Sequence, residues 1–184
     1  ARETGTSTDF TIGYSGNTET CVQLAVAIEE GPTDVIPFLY RRYWNTQLTA
    51  HTQDTPQVAA GDLLIDFFVA NNNGGTLTTP TNWVRFDAGG GNSTILPGAF
   101  YLECAGTETG NFDIVSSSGT NSQAEAHLWH VPAALRDPNQ APEATTTGPT
   151  ASGTPDPGSL TPSWGSAANH WFVAVLRDSV DGIS

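Results

Sequence analysis

The chain has 184 residues, six arginines, no lysine and nineteen acidic residues, which gives a formal net charge of −13 at pH 7. This length suits one domain that can bury a substantial core without disulfide staples. A protein that binds nucleic acid or an anionic membrane needs a basic surface, which six arginines against nineteen acidic residues do not provide. No apolar run approaches the roughly 18 residues of a membrane helix. The composition therefore excludes nucleic-acid and membrane partners.

Short apolar segments with period-two alternation dominate the chain, and helical periodicity is almost absent. We predict strands at 9–15, 21–29, 37–49, 62–70, 82–87, 98–104, 111–116, 123–131 and 171–177. The stretch 132–136 predicts at most one turn of helix. Short strands separated by Gly-, Asn- and Pro-rich turns predict a single all-β domain over 1–184, an antiparallel β-sandwich or jelly roll.

A Pro/Thr/Gly-rich segment at 132–169 interrupts this pattern. Because proline cannot donate to a sheet ladder, we predict a long surface loop there. Its mucin-like composition makes Thr145, Thr146 and Thr147 candidates for O-linked sugar. Asn92 begins an Asn-Ser-Thr sequon in a Gly-rich turn and is the candidate for an N-linked glycan.

The two cysteines, Cys21 and Cys104, permit one disulfide. Alternation along 21–29 places Cys21 opposite the large apolar residues, whereas Cys104 shares the apolar face of 100–104. This difference argues against a bridge but leaves both the reduced and the oxidised state open.

The histidines give no metal or catalytic signature. His127 and His130 stand three apart on a predicted strand, so they face opposite sides and cannot chelate one ion. A Ser–His–Asp site assembled from distant residues remains an alternative, but no Gly-x-Ser-x-Gly motif is present. The turns at 71–73 and 87–92 lack the spacing of a dedicated calcium loop. We expect a non-enzymatic protein without a metal or cofactor.

Asp66 interrupts the apolar run at 63–68. Strand alternation places it opposite Ile65, Phe67 and Val69. An unpaired buried carboxylate is costly, so we expect Asp66 to point outward.

Five tryptophans are many for this length, and we expect most of them in the core. Outward tryptophans would instead form a stacking platform for sugars. The segment 40–44 gathers two of the six arginines among aromatic side chains. Tyr40, Arg41, Arg42, Tyr43 and Trp44 therefore form a candidate docking surface for an acidic neighbour, including a second copy of the chain.

Several blocks of the sequence resemble a known family. They are VAAGDLLI at 58–65, PTNW at 80–83, QAEAH at 123–127, PDPGSLTPSWGS at 155–166 and WFVAV at 171–175. This series is similar to a β-sandwich module widespread in phage virion or tail-associated proteins and related bacterial surface proteins, over about residues 56–184. The resemblance implies a sandwich fold, an extracellular, cell-surface or virion location, and no assigned catalytic residues.

In that module, further strands follow the one that ends here near Arg177, and the last two close the sandwich. Residues 1–31 resemble this closing pair, at the opposite end of the chain. A circular permutation, a cut through a tandem array, or a subunit whose first strands complete its neighbour would each explain the order. Pairing within one chain remains equally open.

Strands supplied to the next copy would satisfy exposed sheet edges and, in a contact that does not close on itself, build a filament. The candidate assembly residues at this end are Phe10, Ile12, Tyr14, Val22, Leu24, Val26 and Ile28. We therefore expect a structural subunit that assembles head-to-tail into an extracellular filament, fibre or phage virion appendage. The alternative is a carbohydrate-binding β-sandwich module.

Overall fold

The computed structural model describes residues 20–29, 37–46, 48–71, 75–87, 95–116, 123–151, 160–164 and 170–177. Their strands are β1 (Thr20–Glu29), β2 (Phe38–Trp44), β3 (Ala50–Asp54), β4 (Ala60–Asn71), β5 (Leu77–Thr78), β6 (Val84–Arg85), β7 (Ile95–Ala105), β8 (Asn111–Ser116), β9 (Ala124–Val131), β10 (Glu143–Ala151) and β11 (His170–Arg177). Within the described ranges the only helical element is a 3-10 turn at Ala133–Leu135. The prediction of an all-β fold is confirmed.

All described strand pairs are antiparallel, and they form three sheets. The largest has the order β2-β9-β4-β7-β6, the second β3-β8-β5, and the third β10-β1-β11. The first two sheets face each other as a β-sandwich, because side chains from both enter one core. Consecutive strands are often not neighbours: β4 lies between β7 and β9.

The core between these two sheets is mainly aliphatic and aromatic. Leu64 and Phe68 from β4 and Phe100 from β7 meet Leu77 from β5 and Ile114 from β8, all of them buried. Trp83 stacks on Phe112 with ring centroids 4.5 Å apart. Each fully buried large side chain contributes about 1.5–3 kcal/mol relative to exposure.

The opposite face of the large sheet is also buried at its centre. Leu63, Ile65 and Phe67 from β4 pack there with Ala99 and Val131. Ala144, at the start of β10, packs against this cluster. The middle of β4 is therefore covered on both faces, which explains why its apolar residues form a run instead of alternating.

Several strands differ from the prediction. The predicted strand 82–87 contributes only the two residues of β6, and 37–49 shortens to β2. Strands β3 and β5 were not predicted, because a sequence such as AHTQD carries little strand signal. The predicted strand 9–15 lies outside the described residues.

The predicted surface loop at 132–169 contains a nine-residue strand instead of irregular chain throughout. β10 pairs with β1 from Ala27↔Glu143 to Thr20↔Ala151. Its threonines are β-branched and favour strands, and Pro149 falls where the register shifts opposite the Cys21–Gln23 stretch. The proline is thus accommodated by an irregularity that needs no donor at that position.

The predicted closing pair at 1–31 is described only over β1. In this structure β1 is the central strand of its sheet and pairs with β10 on one side and β11 on the other, both in its own chain.

Candidate functional site

The most exposed strand of the sandwich is β2, at one edge of the large sheet. It pairs with β9 on one side, and no described strand pairs with the other side. Six consecutive residues, Phe38 to Tyr43, are exposed, and only Trp44 is buried. We call these six residues the β2 edge. Since alternate residues of an edge strand direct N–H and C=O groups outward, this side of β2 presents backbone groups with which no described strand pairs.

Large apolar side chains are concentrated on the β2 edge. Exposed fractions are 55% for Phe38, 40% for Leu39, 47% for Tyr40 and 52% for Tyr43. The only other exposed large hydrophobic residue among those described is Val84, on the opposite edge of the same sheet. An exposed edge strand with four large apolar side chains is unusual for a lone soluble domain and is typical of an interaction surface.

On one face of β2, Arg41 belongs to a polar cluster with β9. Its Nη2 donates to Oε1 of Glu125 at 2.8 Å, and Nε2 of His127 lies 2.7 Å from the same oxygen. Arg41 Nε also approaches His127 Nε2 at 3.2 Å. The Glu125 carboxylate is nearly buried, whereas Arg41 remains more than half exposed. Glu125 therefore holds the Arg41 head group at the rim of the strand.

On the other face, Arg42 reaches the second sheet. Its Nη1 donates to Oδ2 of Asp54 at 3.1 Å, and its guanidinium lies 5.6 Å from the centre of the Trp44 ring. The two arginines are thus matched by two carboxylates of their own chain. The β2 edge is locally balanced in charge although the whole chain carries −13. An open groove beside it is lined by Arg41, Arg42, Tyr43 and Glu125.

The predicted docking surface at 40–44 is therefore exposed over four of its five residues. Trp44 is buried instead. Its ring packs edge-on against that of His51, with centroids 5.2 Å apart, and against that of Phe68, with centroids 6.1 Å apart. Sequence reasoning did not include Phe38 and Leu39, which extend the same strand just after Pro37. The available signal was two large apolar residues directly after a proline and directly before the predicted docking segment.

Asp66 is buried, and the expectation of an outward carboxylate is wrong. Alternation does place it opposite Ile65 and Phe67, but the face it occupies is the interior of the sandwich. Its Oδ2 accepts a 2.7 Å hydrogen bond from Nε2 of Gln53 on β3. Burial raises the pKa of Asp66 to about 7, and the Gln53 hydrogen bond offsets this only in part.

His51 lies on the same face of β3 as Gln53, two residues away, and is fully buried. Its ring lies 5.0 Å from that of Phe68. Burial lowers the pKa of His51, against the opposing effect of the Ile114 carbonyl. His51, Gln53 and Asp66 are thus three buried polar side chains inside the apolar core between the two sheets.

His127 and His130 lie on opposite faces of β9, as predicted, but both are half-buried. His130 Nε2 lies 2.7 Å from Oδ2 of Asp62, which also accepts from Ala59 N, while Oδ1 accepts from Ala133 N. Burial works to raise the pKa of Asp62, but these donors outweigh it and the pKa is lowered. Asp62 ties the start of β4 to the end of β9 and the 3-10 turn, which is a structural role.

Cys104 is buried with a free thiol, and burial, with smaller effects of the Glu108 and Asp62 charges, raises its pKa to about 12. Cys21 lies on β1.

The remaining predicted site residues are distributed as follows. Val22, Leu24, Val26 and Ile28 lie on β1, and Thr145, Thr146 and Thr147 lie on β10. Phe10, Ile12, Tyr14 and Asn92 lie outside the described residues. Of the tryptophans with described burial, Trp44 and Trp83 are buried and Trp129 and Trp164 are half-buried.

Within the described ranges, no group of three or more His, Cys, Asp or Glu side chains is arranged to hold a metal ion. None of the described helical segments is long and apolar enough to cross a membrane. No family model matches the sequence, and no curated protein or solved structure matches it.

Proposed function

We propose that this protein is a non-enzymatic structural subunit that associates with copies of itself in an extracellular filament, fibre or virion appendage. The observation that carries the proposal is the β2 edge, a sheet edge with six consecutive exposed residues and four large apolar side chains. Strand addition at such an edge supplies main-chain hydrogen bonds, and burial of the aromatic side chains adds the hydrophobic contribution.

Strand complementation through β1 provides the head-to-tail step of this proposal. β1 is flanked by β10 and β11, so it makes two ladders. If β1 of one copy entered the sheet of the next, the same residue pairs would form between chains as now form within one. Where the exchange is one-way instead of reciprocal, the contact does not close on itself and extends as a chain of subunits.

Carbohydrate binding remains the alternative proposal. It requires outward tryptophans, whereas the tryptophans with described burial are buried or half-buried. The exposed Tyr43 beside Arg41 in the groove is the feature that favours it. A strictly monomeric protein that binds glycans through this groove would support the alternative.

The test compares the full chain with two single variants by light scattering and negative-stain microscopy over a range of concentrations. Leu39→Lys places a charge on the β2 edge, and Val84→Lys places the same charge at an exposed apolar site on the opposite edge of the same sheet. We expect wild type and Val84→Lys to associate and Leu39→Lys to remain smaller. A wild-type protein that is monomeric at every concentration would overturn the proposal.

A further inference from the structure

We propose that β2 pairs with β2 of a second copy as antiparallel strands across a two-fold axis, which joins the two large sheets into one continuous sheet. This inference rests on the proposed function and specifies the partner and register of one of its contacts. The surface is the side of β2 on which no described strand pairs, together with the exposed side chains of Phe38 to Tyr43.

Charge identifies a second copy as the occupant. Most of this acidic chain would repel another copy, but at the β2 edge Arg41 is matched by Glu125 and Arg42 by Asp54. An acidic partner would have to compete with these two carboxylates for the arginines. A second copy needs no such exchange, because each side arrives already balanced, and its apolar side chains gain burial.

Two-fold symmetry restricts the register. When the axis is perpendicular to the sheet, paired residues lie on the same face in both copies, so one residue of β2 faces its own counterpart and the axis lies midway between the two. An axis at Arg41 or at Arg42 would set two guanidinium groups directly opposite each other, which is unfavourable. An axis at Tyr40 avoids this arrangement.

The Tyr40 register also places complementary groups opposite each other. Tyr40 faces its own counterpart, Leu39 faces Arg41, and Phe38 faces Arg42. The aliphatic stem of Arg41 can cover Leu39, and the Arg42 guanidinium can lie over the Phe38 ring. Five residues from each copy take part, far fewer than the roughly 20–30 per side of a standard interface. This contact alone is therefore weak, and the fraction of paired copies increases with protein concentration.

Disulfide capture tests the register. Tyr40→Cys puts two cysteines across the axis, where Cα atoms in opposite positions lie about 4.5–5.5 Å apart, within disulfide reach. The matched control is Tyr43→Cys, equally exposed on the same strand, whose two copies would lie about 20 Å apart. Wild type measures the background of disulfide dimers formed through Cys21 and Cys104. Under mild oxidation, we expect Tyr40→Cys to form disulfide-linked dimer at least about tenfold faster than Tyr43→Cys, because proximity raises the rate.

A third variant, Arg41→Cys, discriminates the neighbouring register. In the Tyr40 register its two copies lie on a diagonal about 7–8 Å apart, beyond ordinary disulfide geometry. Faster capture by Arg41→Cys, or equal capture by Tyr43→Cys, would overturn this inference. If light scattering still showed wild-type assembly, the proposed function would stand and only the two-fold β2 contact would fall.

A reversible measurement completes the test. Tyr40→Lys sets two ammonium groups across the axis and is expected to raise the dissociation constant of wild-type association by about tenfold or more. Thr78→Lys, exposed on edge strand β5 of the other sheet, should leave it unchanged. Both positions are exposed, so the midpoints of thermal unfolding should stay near wild type. Equal association of the two variants would refute the contact.

Discussion

Replacing Asp66 by asparagine should stabilise the protein at alkaline pH and have little effect at acidic pH. Asp66 is fully buried, and its pKa is raised from 3.8 to about 7 chiefly by burial. A carboxyl whose folded pKa lies above its unfolded pKa favours the folded state while it is protonated. That contribution is complete below about pH 4 and is lost as the pH rises to about 7.

The size of the effect follows from the separation of the two pKa values. A difference of about three pH units corresponds to about 4 kcal/mol of unfolding free energy. Above pH 8, where wild-type Asp66 is ionised, Asp66→Asn is expected to be more stable by up to this amount. The Asn side chain retains an oxygen that can accept the Gln53 hydrogen bond.

Urea unfolding from pH 4 to pH 9 measures the difference between variant and wild type. Comparing the two at each pH removes most of the His51 contribution, which is lost as the pH falls below 6.5 because burial lowers the pKa of that histidine. The matched control is Asp113→Asn, an exposed position on β8. A stability difference for Asp66→Asn that does not change with pH would refute the placement of a titrating carboxyl inside the sandwich.

Other consequences of the structure can be tested with single variants or reagents. Phe68→Ala should lower the unfolding free energy by about 3–5 kcal/mol in denaturant titrations, because the ring is buried between the sheets, whereas Val84→Ala at an exposed site should change it by less than about 0.5 kcal/mol. Gly106→Ala should lower the midpoint of thermal unfolding more than Gly110→Ala. Both glycines have positive φ, near +82° and +81°, but a Cβ at Gly106 would lie 2.7 Å from the Ala60 nitrogen, whereas one at Gly110 meets nothing within 4 Å. Equal decreases in the midpoint would contradict this. Cys104 should resist iodoacetamide at pH 8 until the protein unfolds, as followed by mass spectrometry of its peptide, since its pKa is raised to about 12; rapid native labelling would be inconsistent with its burial. Added salt should strengthen association, because it screens the repulsion between acidic copies; weakening by salt would indicate a contact driven by ion pairs.

Much of the fold follows from local sequence pattern. β8 coincides with its predicted bounds at 111–116, and β1, β7, β9 and β11 were predicted to within a few residues. These strands carry β-branched or aromatic residues and end at turn residues, so local signals suffice. β3 and β5 have few apolar residues and owe their strand structure to pairing with β8. That pairing is a long-range contact, which no local pattern reveals.

The error at Asp66 has the same origin. Alternation gave the correct relative faces along β4, but only the tertiary structure shows that both faces are covered. The candidate site was partly predictable, because the aromatic and basic composition of 40–43 marks it in the sequence. Its status as a sheet edge was not, since edge position depends on which strand pairs with β9. The ion pairs of Arg41 with Glu125 and of Arg42 with Asp54 also could not be predicted, because each joins β2 to a different strand.

Hydrogen–deuterium exchange at low and high protein concentration tests the central claim most directly. The account predicts that amides of the segment 38–44 become more protected as concentration rises, while the peptide containing β6 at the opposite edge of the sheet does not change. Association without added protection at β2, or protection confined to other strands, would contradict the assignment of the β2 edge as the surface through which copies meet.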